Sequence, residues 1–527
     1  GYRGVSEGGG PLEVSQRVMS PHDSHTYPDL FPLPFPPPCP STTMHVEHPA
    51  QIPVFIIAWL LIVKERWDFC PIGRTAGAMI MGVMTVVVQT LGPEEAFDAV
   101  EYGTLALLWG MMVLVEYLKD DALFDMFVQA TFVKNKNLSP TRLLWLVSIS
   151  CGALSALFTN DTMCIALTKT ICYVCTQKGY HPGPQMVAIA MSANIGSGAT
   201  LIGNPQNAII ASLSGVPFAK FLAFSFVAAA VCLVINTAAL ALWFRDDLCE
   251  NTAFAAAAKE KMVESGMYGA TEGGEGESTA LLGNEDDAAN DGVADTSEGN
   301  TIFCFGPYSM ATQRGIFRKM LLFAIVGTLA GFLADLDIGW CAAAGGLSAM
   351  FLDAVINHKV PDRIFARVNW ELLVFFTGLF IVIEGLQETM IPGQLLDLVE
   401  DVMNVETIAG VCAFTAIITV GCNIFNNVPL VLLVGLASSY DDGEGVELKF
   451  METIGDPELA WILLAWVATC AGNLTLMGSV ANLIVAEEGK HYFEMSFSYY
   501  SKFGFPITIV TLYTGVAIIC GMWALVY

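Results

Sequence analysis

Thr200-Leu201-Ile202-Gly203-Asn204-Pro205-Gln206-Asn207 is echoed by Thr475-Leu476-Met477-Gly478-Ser479-Val480-Ala481-Asn482. Both segments are polar and carry glycine, and both lie inside apolar surroundings. Lipid cannot hydrogen-bond a broken backbone, so such interruptions persist only where they are buried or line a cavity. Interrupted hydrophobic segments at matching places in two halves mark the binding site of a transporter.

The surroundings are apolar enough to span a bilayer. The chain is 54% hydrophobic, and residues 221–244 and 503–527 carry no charge. Each run exceeds the roughly 20 residues that cross about 30 Å of hydrocarbon. Further apolar runs at 75–91, 104–115, 143–158, 320–334, 372–383, 407–421 and 460–471 bring the expectation to roughly ten to twelve spans or half-spans. Much of the net charge of -27 lies between Asp246 and Glu298, in a Gly-containing acidic stretch that reads as a disordered linker. The acidity therefore says little about the substrate. The expected organisation is a Pro-rich disordered head (1–50), a first transmembrane repeat (51–244), an acidic disordered central loop (245–315) and a second repeat (316–527). The head lacks the charged region and apolar core of a signal peptide. Glu277-Ser278-Thr279-Ala280-Leu281-Leu282 has the form of an acidic dileucine sorting motif. The fourteen cysteines show no zinc spacing or disulfide framework.

The echo extends along both halves. Ile72-Gly73 matches Ile338-Gly339, Gly110 and Glu116 match Gly378 and Glu384 at one common offset, and Asn160-Asp161 matches Asn426-Asn427. Phe218-Ala219-Lys220-Phe221 resembles Tyr500-Ser501-Lys502-Phe503, each before a long closing span. This order predicts, in each half, two spans, an amphipathic stretch (120–133; 387–403), a helix broken at the Asn pair, a re-entrant segment and the closing span. An odd number of crossings per half makes the repeats inverted. The fold class expected is an all-α polytopic membrane protein of two inverted repeats with broken helices and re-entrant segments. Arg245, Lys259, Lys261, Arg314, Arg318 and Lys319 flank the central loop and predict that it is cytoplasmic.

Pro71-Ile72-Gly73-Arg74-Thr75-Ala76-Gly77, Phe158-Thr159-Asn160-Asp161-Thr162, Ser192-Ala193-Asn194-Ile195-Gly196-Ser197, Gly203-Asn204-Pro205-Gln206-Asn207 and Ala471-Gly472-Asn473-Leu474-Thr475-Leu476 together resemble the plant silicon efflux transporters. That group belongs to the ion transporter superfamily, with arsenite efflux permeases, NhaD-type sodium/proton antiporters and citrate/dicarboxylate carriers. The resemblance runs from about Pro71 to the C-terminus. It implies a scaffold domain and a mobile transport domain working by an elevator-like motion, often in a homodimer. The dicarboxylate branch would imply paired Ser-Asn-Thr motifs. Here those places read Ser192-Ala193-Asn194 and Ala471-Gly472-Asn473, which speaks against sodium-coupled carboxylate transport.

The expected substrate site sets Asn160, Thr162, Ser192, Asn194, Ser197, Thr200, Gly203, Asn204 and Asn207 against Asn426, Asn427, Gly472, Asn473, Thr475, Gly478, Ser479 and Asn482 across a pseudo-two-fold axis. Neutral amides and hydroxyls both donate and accept hydrogen bonds. With few fixed cations, the set suits a small neutral hydroxy acid such as silicic, arsenous or boric acid; a dianion would want arginine or aimed helix N-termini. Asp161 is the one acidic member. An intramembrane carboxylate is functional by default, and this one is expected to carry the coupling proton, or to hold a cation if sodium is the driver. Glu116 and Glu384 form a second carboxylate pair near the ends of equivalent spans. Lys169 either pairs with a carboxylate or snorkels.

All seven histidines lie outside the long apolar runs, and no HExxH occurs. This weighs against a membrane hydrolase. A channel remains an alternative. No cofactor, metal or nucleic-acid partner is expected. The function read from the sequence is secondary active transport at the plasma membrane: proton-coupled efflux of silicic acid or arsenite. The alternative is a sodium/proton antiporter or citrate/dicarboxylate carrier of the same superfamily.

Overall fold

The computed structural model of the chain describes residues 48–63, 72–121, 123–134, 138–248, 310–440 and 447–527. The Pro-rich head and most of the acidic central loop, with its dileucine segment, lie outside the described residues.

Among the described residues, eight helices are long and apolar enough to cross a membrane. The first half holds α1 (Gln51–Val63), α2 (Arg74–Val87), α3 (Pro93–Asp98), α4 (Tyr102–Asp120), the amphipathic α5 (Leu123–Val128) with its π-helical continuation, α6 (Pro140–Leu157), α7 (Asn160–Lys178), α8 (Gly183–Ser197), α9 (Pro205–Ser214) and α10 (Phe218–Trp243). The second half holds α11 (Met310–Leu333), α12 (Ile338–Ile356), α13 (Asp362–Phe365), α14 (Trp370–Gln387), α15 (Ile391–Glu400), α16 (Ile408–Phe425), α17 (Asn427–Leu436), β1 (Ser438–Tyr440), β2 (Glu447–Lys449), α18 (Phe450–Thr453), α19 (Pro457–Ala471), α20 (Val480–Gly489) and α21 (Phe497–Val526). The antiparallel β1–β2 pair is a small addition to the all-helical expectation.

Glycine permits close helix contacts at matching places in the two halves. A Cβ on Gly110 of α4 would sit 2.3 Å from the Ala342 backbone of α12, and one on Gly378 of α14 would sit 2.6 Å from the Ala78 backbone of α2. These swapped pairs, α4 with α12 and α2 with α14, tie the halves into one scaffold. The repeats are inverted. Cys232 meets Thr511 while Phe224 meets Trp523 and Phe244 meets Phe503, so the equivalent closing helices α10 and α21 run antiparallel. The equivalent helices α8 and α19 also run antiparallel, with Asn473 at Met191 and Trp466 at Gly198.

One assignment is exchanged relative to the sequence expectation. Tyr180, just past α7, donates its hydroxyl proton to the Leu138 carbonyl ahead of α6 at 2.6 Å. The far ends of α6 and α7 are therefore together, and the pair is a re-entrant hairpin whose tip is Phe158-Thr159-Asn160. Helices α8 and α9 are instead the two parts of the broken helix, unwound between Ser197 and Pro205. The second half repeats this: Val405 donates to the Ile454 carbonyl, which brings the starts of α16 and α19 together. Thus α16–α17 is the hairpin, and α19–α20 is the helix broken over residues 472–479.

Candidate functional site

Each break is shaped by its own amide. Asn207 donates from Nδ2 to the carbonyls of Thr200 (2.9 Å) and Ser197 (3.4 Å). Asn482 donates from Nδ2 to the carbonyls of Thr475 (3.1 Å) and Gly472 (2.8 Å), the same seven and ten residues back. Carbonyls freed by unwinding are thereby satisfied inside the segment that loses its helix. Asn204 caps α9 by accepting from the Asn207 N–H at 2.9 Å, beside Pro205 at the first helical position. Gly203 is required by closeness: a Cβ there would lie 2.3 Å from the Ser197 carbonyl oxygen.

The breaks meet at Asn194. Its Oδ1 accepts from Asn160 Nδ2 (2.9 Å) and Ser479 Oγ (3.3 Å), and its Nδ2 donates to Asn473 Oδ1 (2.8 Å) and Asn482 Oδ1 (3.1 Å). The Asn160 N–H donates to the Gly203 carbonyl at 2.9 Å, joining the hairpin tip to the break. Thr469, on the apolar face of α19 and unforeseen from sequence, accepts from Asn204 Nδ2 at 3.1 Å and donates to Asn207 Oδ1 at 3.2 Å.

A cavity of about 60 Å³ lies where the hairpin tips approach the breaks. Of the residues expected at the site, Asn160, Asp161, Asn426, Asn427 and Ser479 line it. Asn194, Ser197, Thr200, Asn204, Asn207, Asn473 and Asn482 stand behind it in the amide network. Gly472 and Gly478 pack against each other across the second break, and Thr475 supplies a carbonyl to Asn482. Thr162 shares a 2.7 Å hydrogen bond with Thr159 at the hairpin tip, and Ser192 is fully buried away from the cavity lining.

The sequence reading missed Arg74, Gln206, Phe375 and Phe376, which also line the cavity. Arg74 corrects the expectation of a site short of fixed cations: it is the first residue of α2, and its charge acts on the Asp161 carboxylate. The two unlike charges leave the lining close to neutral. Asn160 Oδ1 and Asn427 Oδ1, one at each tip, are buried amide oxygens without a hydrogen-bond donor among the described residues. Asn426 holds φ +75° and ψ 157°, a region other residues than glycine avoid, while its Oδ1 accepts from the Asn427 N–H at 2.8 Å. Of the other carboxylates considered, Glu116 pairs with Lys119 at 2.8 Å on its own helix. Lys169 pairs with Glu488 at 2.9 Å, which joins α7 to α20.

Inverted repeats, paired re-entrant hairpins and a small polar cavity between two broken helices define a multi-pass membrane carrier. Comparison places it further. The citrate transporter family profile matches residues 58–455, and the chain belongs to that family. It is 30% identical to the silicon efflux transporter LSI3 of Oryza sativa subsp. japonica over 488 residues, 88% of this chain and 96% of that protein. It is 29% identical to the putative transporter arsB of Dictyostelium discoideum over 542 residues, 88% and 91% of the two chains. Among solved structures, the Alcanivorax borkumensis YdaH transporter aligns with a TM-score of 0.43 at 12% identity, covering 90% of this chain and 98% of that one. The protein is a membrane transporter of a small molecule or ion.

Proposed function

We propose that the protein carries out proton-coupled efflux of a small neutral hydroxy-metalloid acid, silicic acid or arsenite. The observation that carries this reading is the pair of unpartnered amide oxygens, Asn160 Oδ1 and Asn427 Oδ1, beside the Asp161 carboxylate. Three acceptors around one cavity, with donors beside them on Arg74, Gln206 and Ser479, suit a solute whose hydroxyls both donate and accept. Silicic and arsenous acids present hydroxyls on every side. A di- or tricarboxylate would find one cationic partner, Arg74, against these three acceptors.

Size supports the same choice. A water needs about 10–15 Å³ of such volume, so a cavity of about 60 Å³ holds roughly four to six water-sized groups. That matches one central atom with three or four hydroxyls and falls short of citrate. The silicon efflux transporter among its relatives is in keeping with this assignment. In this reading Asn160, Asn426, Asn427, Ser479 and Gln206 touch the solute, and the network centred on Asn194 fixes their geometry. Asp161 takes and releases the coupling proton, with Arg74 as its facing charge. The bundle of hairpins and broken helices moves against the α2–α14 and α4–α12 scaffold, in the plasma membrane, with the central loop on the cytoplasmic side.

Arg74 favours a second reading, exchange of a carboxylate anion or of sodium for protons. Proteoliposomes under an imposed pH gradient separate the two. Accumulation of silicic acid or arsenite that is lost in Asp161→Asn is the expected outcome. Gradient-driven movement of citrate or sodium alone would overturn the metalloid assignment. Uphill efflux at full rate in Asp161→Asn would remove the proton role from that residue. Labelling of an epitope in the central loop on intact cells would reverse the orientation.

A further inference from the structure

Behind the amide network, α6, α8 and α10 pack together around polar side chains that the transport reading does not use, and α21 packs on α10 beside them. Helices α6 and α8 run parallel in a fixed register. Gln185 Nε2 donates to the Pro140 carbonyl at 3.2 Å, Thr200 Oγ1 donates to the Ala156 carbonyl at 2.6 Å, and a Cβ on Gly196 would strike the Gly152 carbonyl. That register sets Ser148 of α6 level with Ser192 of α8. On α10, Leu233 packs against Gly152 and the Cys232 thiol donates to the Thr511 carbonyl of α21 at 3.1 Å. Asn236 lies one turn beyond both contacts. Phe244 at the end of α10 packs on Tyr499, whose hydroxyl lies at Gly183 at the start of α8, so α10 runs antiparallel to α8 and α6 as well as to α21, and Asn236 falls at the level of Ser148 on one side and Thr508 on the other.

Ser148, Ser192 and Asn236 are 0% exposed and Thr508 is 1% exposed. Ser148 Oγ, Ser192 Oγ, Thr508 Oγ1 and both amide atoms of Asn236 have no hydrogen-bond partner among the described residues. Buried polar groups of this kind are costly unless something bonds them, and the common level of these five atoms points to a shared ligand. The set is uncharged and offers both donors and acceptors. The ligand it fits is small and neutral and bonds in both directions, and water with two to four polar partners meets that description.

We propose that ordered water is bound between α6, α8 and α10, held by Ser148, Ser192 and Asn236, with Thr508 of α21 on the other side of the Asn236 amide. The site is independent of which solute is carried. Ser192 and Asn194 lie two residues apart on α8 and so point to different sides of it. The water therefore backs the helix whose front carries the amide hub.

The test is a cryo-EM map of the whole protein in lipid nanodiscs, at a resolution that shows water. The expected result is discrete density within hydrogen-bond reach of the Asn236 amide and of at least one of the three hydroxyls. Absence of density, with the amide bonded directly to Ser148 or Thr508, overturns the proposal. Thermal unfolding of Asn236→Leu gives an independent sign. Replacing a hydrated amide strands the water and the hydroxyls, so the midpoint falls. Replacing an unsatisfied amide relieves it, so a raised midpoint also overturns the proposal. If Asn236→Leu does not fold, the wild-type map still decides.

Discussion

Asn194 is a residue at which both halves meet, and its removal has a calculable cost. It makes four side-chain hydrogen bonds, accepting from Asn160 and Ser479 and donating to Asn473 and Asn482, and it is 1% exposed. A buried hydrogen bond contributes about 1 kcal/mol net in soluble proteins and about 0.6 kcal/mol between membrane helices. Four of them give about 2–4 kcal/mol for Asn194→Leu, a large share of the roughly 5–15 kcal/mol that separates a typical folded domain from its unfolded state. Asn194→Asp sharpens the test because shape and size are kept. Its two oxygens still accept from Asn160 and Ser479, but Asn473 Oδ1 and Asn482 Oδ1 lose their donor. Thermal unfolding in detergent, followed by tryptophan fluorescence, should show both variants lowered. Solute transport in proteoliposomes should fall in Asn194→Leu, which loses the bond that orients the Asn160 amide at the cavity, and in Asn194→Asp, which frees the second break at Asn473 and Asn482. A wild-type midpoint and a wild-type transport rate in both variants would refute the hub.

Three further outcomes are expected. Asn426→Gly keeps the unusual backbone conformation and removes strain of about 1–3 kcal/mol, so the thermal midpoint should hold or rise while solute transport is lost; a drop in midpoint would show that the Asn426 side chain, not the backbone, holds the tip. Gly110→Ala and Gly378→Ala each force a methyl to within 2.3 and 2.6 Å of a facing backbone, at a typical overpacking cost of about 1–3 kcal/mol; similar midpoint losses in the two variants check the scaffold symmetry, and an unchanged midpoint in either breaks it. Burial holds His181, in the turn between α7 and α8, below its ordinary value of 6.5, against a smaller upward pull from Asp247. The unfolded chain therefore takes up that proton first, and stability is full above about pH 6.5 and falls as pH drops toward the folded value. Midpoints at about pH 7.5 and about pH 5.5 should differ in the wild type and differ less in His181→Gln.

Much of the site was legible because polar residues are conspicuous in apolar sequence. Asn160, Asn194, Asn207, Asn427 and Asn482 stand out in that way, and the structure puts all of them in or beside one cavity. Arg74 did not stand out. It begins a helix, where a charged residue is ordinary, and only the packing of α2 along α14 carries it to the hairpin tip. Thr469 was hidden for the opposite reason: a hydroxyl in an apolar helix reads as one that bonds its own backbone. The hairpin and the broken helix were exchanged because both read as apolar, polar, apolar. What separates them is whether the chain returns to its starting side. That information sits in tertiary contacts, Tyr180 to the Leu138 carbonyl in the first half and Val405 to the Ile454 carbonyl in the second.

Inversion of the repeats explains why a single small cavity serves both halves. Equivalent helices run antiparallel, so the two hairpins enter from opposite sides and their tips, at Asn160 and Asn427, face one space. Duplication alone would give that space two identical sets of amides and no means of coupling. The halves differ where it matters for charge: Asp161 follows Asn160 at the first tip, and Val428 follows Asn427 at the second, with Arg74 supplied to the lining from the first half. The uncharged groups shared by both tips suit the recognition of a neutral solute. If the proposed proton coupling holds, the acid–base pair on one side assigns it to one carboxylate, and each cycle moves a proton through Asp161 alone.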